Sequence, residues 1–224
     1  TPNDLGAELL AMTDRYTDEI FAFLEPAATT VRFPVSRLVV DPERFADDAD
    51  EPMSSCGMGA IYTRTSDGRC LRAHPTPAER ASLLTRFYEP HHRALSDAVA
   101  NALRAHNTCL VIDGHSFPTR PLPYEGDQRE DRPDICIGTD PFHSPTWLRD
   151  AAVAEFEREG FDVAIDRPFA GALVPMAFYG REPRVMAFMV EINRRLYMDE
   201  RTGAKLHAFD ELRRRVLVAL GRLL

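Results

Sequence analysis

The stretch Val185-Met186-Ala187-Phe188-Met189-Val190-Glu191-Ile192 is the most hydrophobic run in the chain, and its reading decides the architecture. It is too short for an ordinary helix and shows no alternating polar face, so it reads as a strand buried on both sides, central to a sheet covered by helices. Its one charged residue, Glu191, stands near the end of the run. A buried carboxylate is costly unless it is paired, hydrogen-bonded or used, because desolvation penalises the charged form.

Outward from that strand, β-favouring runs recur at 108–112 (TCLVI), 134–139 (DICIGT) and 162–165. Helical patterns separate them. Thr76-Pro77-Ala78-Glu79 carries a capping threonine, a first-turn proline and the glutamate of a capping box, and Leu84, Tyr88, His92, Leu95 and Val99 continue one stripe to about residue 107. Further helices are expected at 146–159, ended by Gly160, and at 205–224, with Phe209, Leu212, Val216, Leu220 and Leu223 on the buried side. Alternating strand and helix imply an α/β fold. Nearer the N-terminus the spacing predicts a helix over 14–24, capped by Thr13 or Asp14, short strands at 29–33 and 38–40, and an irregular stretch over 42–75.

At 224 residues the chain fits one domain, read as 1–224. The net charge of -8 argues against a surface that neutralises phosphate backbones, so nucleic acid is not an expected partner. Cys56, Cys70, Cys109 and Cys136 form no Cys-x-x-Cys pair and read as free thiols of a cytoplasmic protein. No run reaches the length of a membrane span, and no membrane partner is expected.

In open α/β sheets ligands bind beyond the carboxyl ends of strands, so polar residues directly after buried runs carry weight. Two such places occur. Asp113-Gly114-His115-Ser116 follows an apolar strand and delivers a histidine, a frequent metal ligand whose tautomer a neighbouring carboxylate can fix. The same tetrapeptide also suits a turn in which His115 only packs. Glu191 fits a general base, and equally a structural partner of Arg194, Arg195 or an arginine on another strand. Asp14 also suits a helix N-cap, Arg37 a pair with Asp41 or Glu43, and His92 a packing role on its apolar stripe.

Thr13-Asp14 with Asp18, Ser36-Arg37-Leu38-Val39-Val40-Asp41 with Arg44, Tyr62 and Arg64, Pro90 with His92, Asp113-Gly114-His115-Ser116, Gly138-Thr139, Arg167-Pro168-Phe169, and Glu191 with Arg195-Leu196-Tyr197-Met198 follow one another along nearly the whole chain. In that order and spacing the sequence resembles the N-formylglutamate amidohydrolase family. The resemblance implies a three-layer αβα fold with a mixed, mostly parallel central sheet, similar to the zinc carboxypeptidases and other zinc exopeptidase-like hydrolases. It also implies a Zn2+ ion that activates water to cleave the amide of an acidic N-acyl amino acid, N-formyl-L-glutamate above all, in histidine breakdown. On that resemblance His115 and Asp14 are the expected metal ligands, Glu191 the catalytic base, and Arg44, Arg64 and Arg37 the groups that grip substrate carboxylates.

The family carries a Pro-His-x-Gly segment upstream of the Asp14 region that supplies another ligand, and a short segment before Thr1 is expected to hold it. Where the family often has Gly-Gly followed by polar and basic residues, this chain has Ala170-Gly171-Ala172-Leu173-Val174-Pro175-Met176, expected to face the substrate. A peptidase or amidase acting on another N-acyl amino acid, and a non-catalytic binding protein on the same scaffold, stay open as alternatives.

Overall fold

The computed structural model describes residues 2–22 and 28–224, with residues 2–4 in backbone only. They form two compact units: Thr1–Thr13, Val31–Ser96 and Leu122–Gln128 make the first, and Asp14–Thr30, Asp97–Pro121 and Arg129–Leu224 the second.

The first unit contains α1 (Pro2–Met12), a 3-10 turn at Pro52–Cys56, α3 (Pro77–Leu83), a π-helical turn at Leu84–Tyr88 and the start of α4 (Glu89–His106), whose residues from Asp97 onward belong to the second unit. The capping box forms as the sequence requires: Thr76 Oγ1 accepts from Glu79 N, and a Glu79 carboxylate oxygen accepts from Thr76 N. The expected strands at 29–33 and 38–40 do not form. Leu38 instead enters an apolar core with Met12, Met58 and Tyr62. The backbone there turns, with Val39 N donating to Ser36 O, and the Leu38 carbonyl is taken by the Arg72 guanidinium. Burial, rather than a ladder, thus uses the apolar side chains of this run.

The second unit holds α2 (Thr17–Phe21), β1 (Cys109–Phe117), β2 (Ile135–Gly138), α5 (Thr146–Arg158), β3 (Val163–Ile165), β4 (Val185–Asn193) and α6 (Phe209–Gly221). Of the helix expected over 14–24, Thr17–Phe21 is α-helical, and Phe23 and Leu24 lie outside the described residues. The strand order is β1-β4-β2-β3, with β1 parallel to β4, β2 antiparallel to β4, and β3 parallel to β2. The run that opened the sequence reading is therefore an interior strand, and its side chains are buried on both faces.

Side chains alternate across a strand, which assigns the two faces. Val99 and Leu103 of α4 pack on Cys109, Val111, Val185 and Ala187, so the later part of α4 covers the odd-numbered face of β1 and β4. α2 contacts β1 from the opposite side and packs with α6, which in turn packs with α5 against β2 and β3. Helices on both faces make the three layers, and the fold class read from the sequence is the one observed.

Gly114 shows why the sequence needs a glycine in β1. A Cβ there would lie 2.6 Å from two carbons of the Phe21 ring. The constraint is close packing of α2 on the strand. Gly114→Ala is expected to cost about 1–3 kcal/mol, the usual range for overpacking a filled core, read as a lower midpoint in urea unfolding with an unchanged slope.

Candidate metal centre

At its carboxyl end β1 delivers Asp113, His115 and Phe117 to the face shared with α4, and the parallel register sets His115 beside Glu191 of β4. Registered neighbours project to the same side of a sheet. Glu191 is buried, between β1 and β2, where its antiparallel partner is Cys136. Burial pushes the Cys136 thiol up to about 12, against its hydrogen bond to Phe169 O, and the nearby charge of Glu191 adds to the rise.

The His115 ring is held from both sides. Nε2 lies 2.7 Å from Asp113 Oδ1, and Nδ1 lies 3.5 Å from Asp14 Oδ2. An ionised carboxylate only accepts, so in the neutral ring Nε2 carries the proton and Nδ1 the lone pair, directed at Asp14. Burial works to raise the Asp113 carboxyl, but the charge that His115 carries when protonated and its hydrogen bond, together with Leu173 N donating to Oδ2 at 3.1 Å, hold it below the usual carboxylate range. Asp113 is therefore the charged anchor behind the imidazole.

The spacing between Asp14 and His115 is long for a hydrogen bond, and it matches that of two ligands of one ion. Two donors bound tetrahedrally to zinc at ~2.0–2.1 Å stand ~3.3 Å apart. The donor set of one carboxylate oxygen and one imidazole nitrogen, the latter braced by a carboxylate, suits the same ion. This donor pair is of the kind that can ligate a divalent metal ion.

Asp14 reaches this place from an irregular segment. α2 begins at Thr17, with Tyr16 as its N-cap in a left-handed conformation (φ 66°) and its hydroxyl donating to Gly203 O. The side chain of Asp14 does not cap that helix; its Oδ1 accepts from Ser116 N at 3.2 Å, Ser116 Oγ at 3.0 Å and Arg194 Nη2 at 3.3 Å. β1 is an edge strand among the described residues, and Asp14 takes the outward amide of Ser116 that a further strand would have used.

The second unit thus brings Asp14, His115 and Glu191 to one end of two adjacent strands. Arg195 turns to Asp134 (2.7 Å) and the Arg132 carbonyl. Arg37, Arg44 and Arg64 belong to the first unit. There Arg44 stands 3.7 Å from Asp41 and 3.8 Å from Glu51, beside the buried Tyr62 whose hydroxyl donates to Asp41 Oδ2 at 2.5 Å. Desolvation lowers the Arg44 pKa, but Tyr62 and these carboxylates outweigh it and hold the guanidinium above its ordinary value. Arg37 lies near Tyr62, and Arg64 is exposed, donating to Gly68 O. His92 packs on Tyr88 and bonds to Pro42 O, with its pKa lowered by burial, as its place on an apolar stripe suggested.

Two contributors escaped the sequence reading, Arg194 as a partner of Asp14 and Leu173 N as a partner of Asp113. The signal for the first was available, since an arginine directly after a buried strand has to find a carboxylate. The second is a backbone group and carries no residue signature.

Among known proteins, the family model described as N-formylglutamate amidohydrolase matches residues 3–198. N-formylglutamate deformylase of Pseudomonas aeruginosa is 28% identical over 201 residues, covering 87% of this chain and 74% of that protein. The crystal structure of N-formylglutamate amidohydrolase from Ralstonia eutropha superposes with a TM-score of 0.78 at 23% identity, over 97% of this chain and 85% of the other. A gene product of Agrobacterium tumefaciens has a similar fold, with a TM-score of 0.57 at 22% identity over 84% of this chain and 69% of its own.

Proposed function

The chain belongs to the N-formylglutamate amidohydrolase family, and on that premise we propose that it is a zinc-dependent amidohydrolase that cleaves N-formyl-L-glutamate to formate and glutamate. One observation carries the metal part of this reading. Asp14 Oδ2 and His115 Nδ1 stand at the separation of two ligands of one ion, with Glu191 in register on the adjoining strand.

Asp14 and His115 would hold the zinc, and Asp113 would keep the imidazole in the ligating tautomer. When bound, the ion supplies the Lewis acidity that makes water nucleophilic near neutral pH and stabilises charge on the amide oxygen. Glu191 takes the proton from the attacking water and returns it to the departing amine nitrogen. Its place on β4, in register with His115, suits this work. Arg44, Arg64 and Arg37 are the proposed grips for the carboxylates of the substrate, through paired N–H donors. Among the described residues no helix is long and apolar enough to cross a membrane.

A second substrate reading has an observation of its own. Leu173 N donates to Asp113, which sets Leu173 beside the carboxylate that braces the histidine, while Val174 and Ala172 pack into the core with Val99 and Val185. A leucine at that place favours an N-acyl amino acid less polar than glutamate. Purified protein loaded with zinc is expected to bind about one ion per chain and to release formate from N-formyl-L-glutamate faster than from N-formyl derivatives of leucine or methionine. Faster release from the apolar derivatives would replace glutamate in the proposal. No release from any small amide, with metal bound, would leave a binding protein on this scaffold.

A further inference from the structure

We propose that Arg194 is a positioning residue, whose buried guanidinium, joined to Ser116, pins one carboxylate oxygen of Asp14 and thereby keeps the other aimed at His115. This rests on the reading of Asp14 and His115 as metal ligands.

The side chain of Arg194 is only 5% exposed. Removing a guanidinium from water costs several kcal/mol unless its donors are matched, so its partners define what it is there to do. Nε donates to Ser116 Oγ at 3.1 Å, and Nη2 reaches both Asp14 Oδ1 and Ser116 O at 3.3 Å. Ser116 closes the triangle, its amide and hydroxyl both donating to the same Asp14 oxygen. Three donors, the Ser116 amide, the Ser116 hydroxyl and Arg194 Nη2, thus hold one oxygen of a carboxylate that comes from a segment outside the sheet.

The demand for such a clamp follows from where Asp14 stands. It lies between α1 and α2, and its backbone carbonyl accepts from Thr17 Oγ1 at 2.8 Å, which fixes the main chain and leaves the side-chain torsions to be set by contacts. A carboxylate free to rotate would present either oxygen, or both, to an ion. With Oδ1 engaged by Ser116 and Arg194, Oδ2 is the atom that faces Nδ1 of His115 at ligand-to-ligand distance.

The position of Arg194 is itself rigid. It opens the 3-10 turn Arg194–Leu196 that ends β4, and Asn193 caps this turn by accepting from Arg195 N. Asn193 is fully buried and also donates to Pro133 O and accepts from Thr119 Oγ1. Arg194 therefore moves with the strand that carries Glu191, three residues earlier. Tyr197, buried one turn on, lies against Ser116 and Arg194, and burial raises its phenol above the ordinary value. The clamp couples the metal ligand to the base through one short, packed segment.

The test is zinc affinity, measured with zinc alone against a chromophoric chelator, on the full chain and on Arg194→Met, Arg194→Lys and Ser116→Ala. Groups that orient a ligand typically govern affinity by about 10–100-fold. Arg194→Met is expected to weaken zinc about 30-fold or more, and Arg194→Lys, which keeps the charge and loses the fork, about 10-fold. Ser116→Ala in the Arg194→Met background should add little, because both changes open the same triangle. Excess zinc should restore much of the kcat of Arg194→Lys with KM unchanged, which loss of fold would not allow. If Arg194→Met does not fold, Arg194→Lys and Ser116→Ala carry the comparison. Wild-type zinc affinity in folded variants would overturn the clamp and leave the metal reading standing; no zinc binding by the wild-type chain would overturn both.

Discussion

Glu191→Gln is expected to lower kcat on the order of a thousand-fold while zinc content stays at the wild-type level, the range in which removing a positioned general base usually falls. Glutamine keeps the shape of the side chain in its slot between His115 and Cys136, so packing of the central strand should hardly change. What it loses is the ability to take a proton from water and hand it to the leaving amine. KM should move little, because the amide oxygen and substrate carboxylates meet other groups. Steady-state kinetics with zinc quantified on the same preparation check this. Activity within a few-fold of wild type would remove Glu191 from the chemistry and return it to the structural role that its sequence context equally allowed.

His115→Ala is expected to abolish both zinc binding and turnover, which separates a ligand from a base. Zinc per chain should fall below about a tenth of the wild-type value, since an open zinc site held by few protein ligands does not survive the loss of one. The change also strands Asp113, a carboxylate held largely by the His115 ring and by Leu173 N. An unpartnered buried group costs roughly 1–3 kcal/mol, so a drop in Tm of a few degrees should accompany the loss of metal. His115→Ala that retains stoichiometric zinc would move the metal centre elsewhere.

Glu191 and His115 were visible in the sequence for the same reason: each is a polar residue attached to an apolar run, and alternation then predicts where such a side chain emerges. What spacing left open was whether each was used or merely satisfied. The pairing of β1 with β4 resolves the geometry, because registry sets residues 76 positions apart side by side. Asp14 was open between helix cap and ligand; the carboxylate turns to Ser116 and Arg194 instead, while Tyr16 begins the helix. The strand expected at 38–40 failed because β-favouring composition measures burial as much as pairing, and here a turn buried the same side chains, whereas the residues of the strand expected at 29–33 stay exposed or half-buried without a partner strand among the described residues. The helix expected over 76–107 formed with a π turn inside it, for which the apolar stripe gives no warning.

By itself, then, the amino-acid sequence determined the α/β class, the interior strand at 185–192, the capping box that starts the helix at residue 77, and the pair of residues on which the chemistry is proposed to turn. These are local matters of hydrophobic period, length and end signals, each written within about a dozen residues. Tertiary structure alone decided that Arg194 reaches Asp14, that Asp113 braces His115 with help from a backbone amide 60 residues away, and that Gly114 is small because Phe21 lies on it. The reason is physical: hydrogen bonds and packing act over a few ångströms of space, and separation along the chain says little about which groups the fold will bring that close.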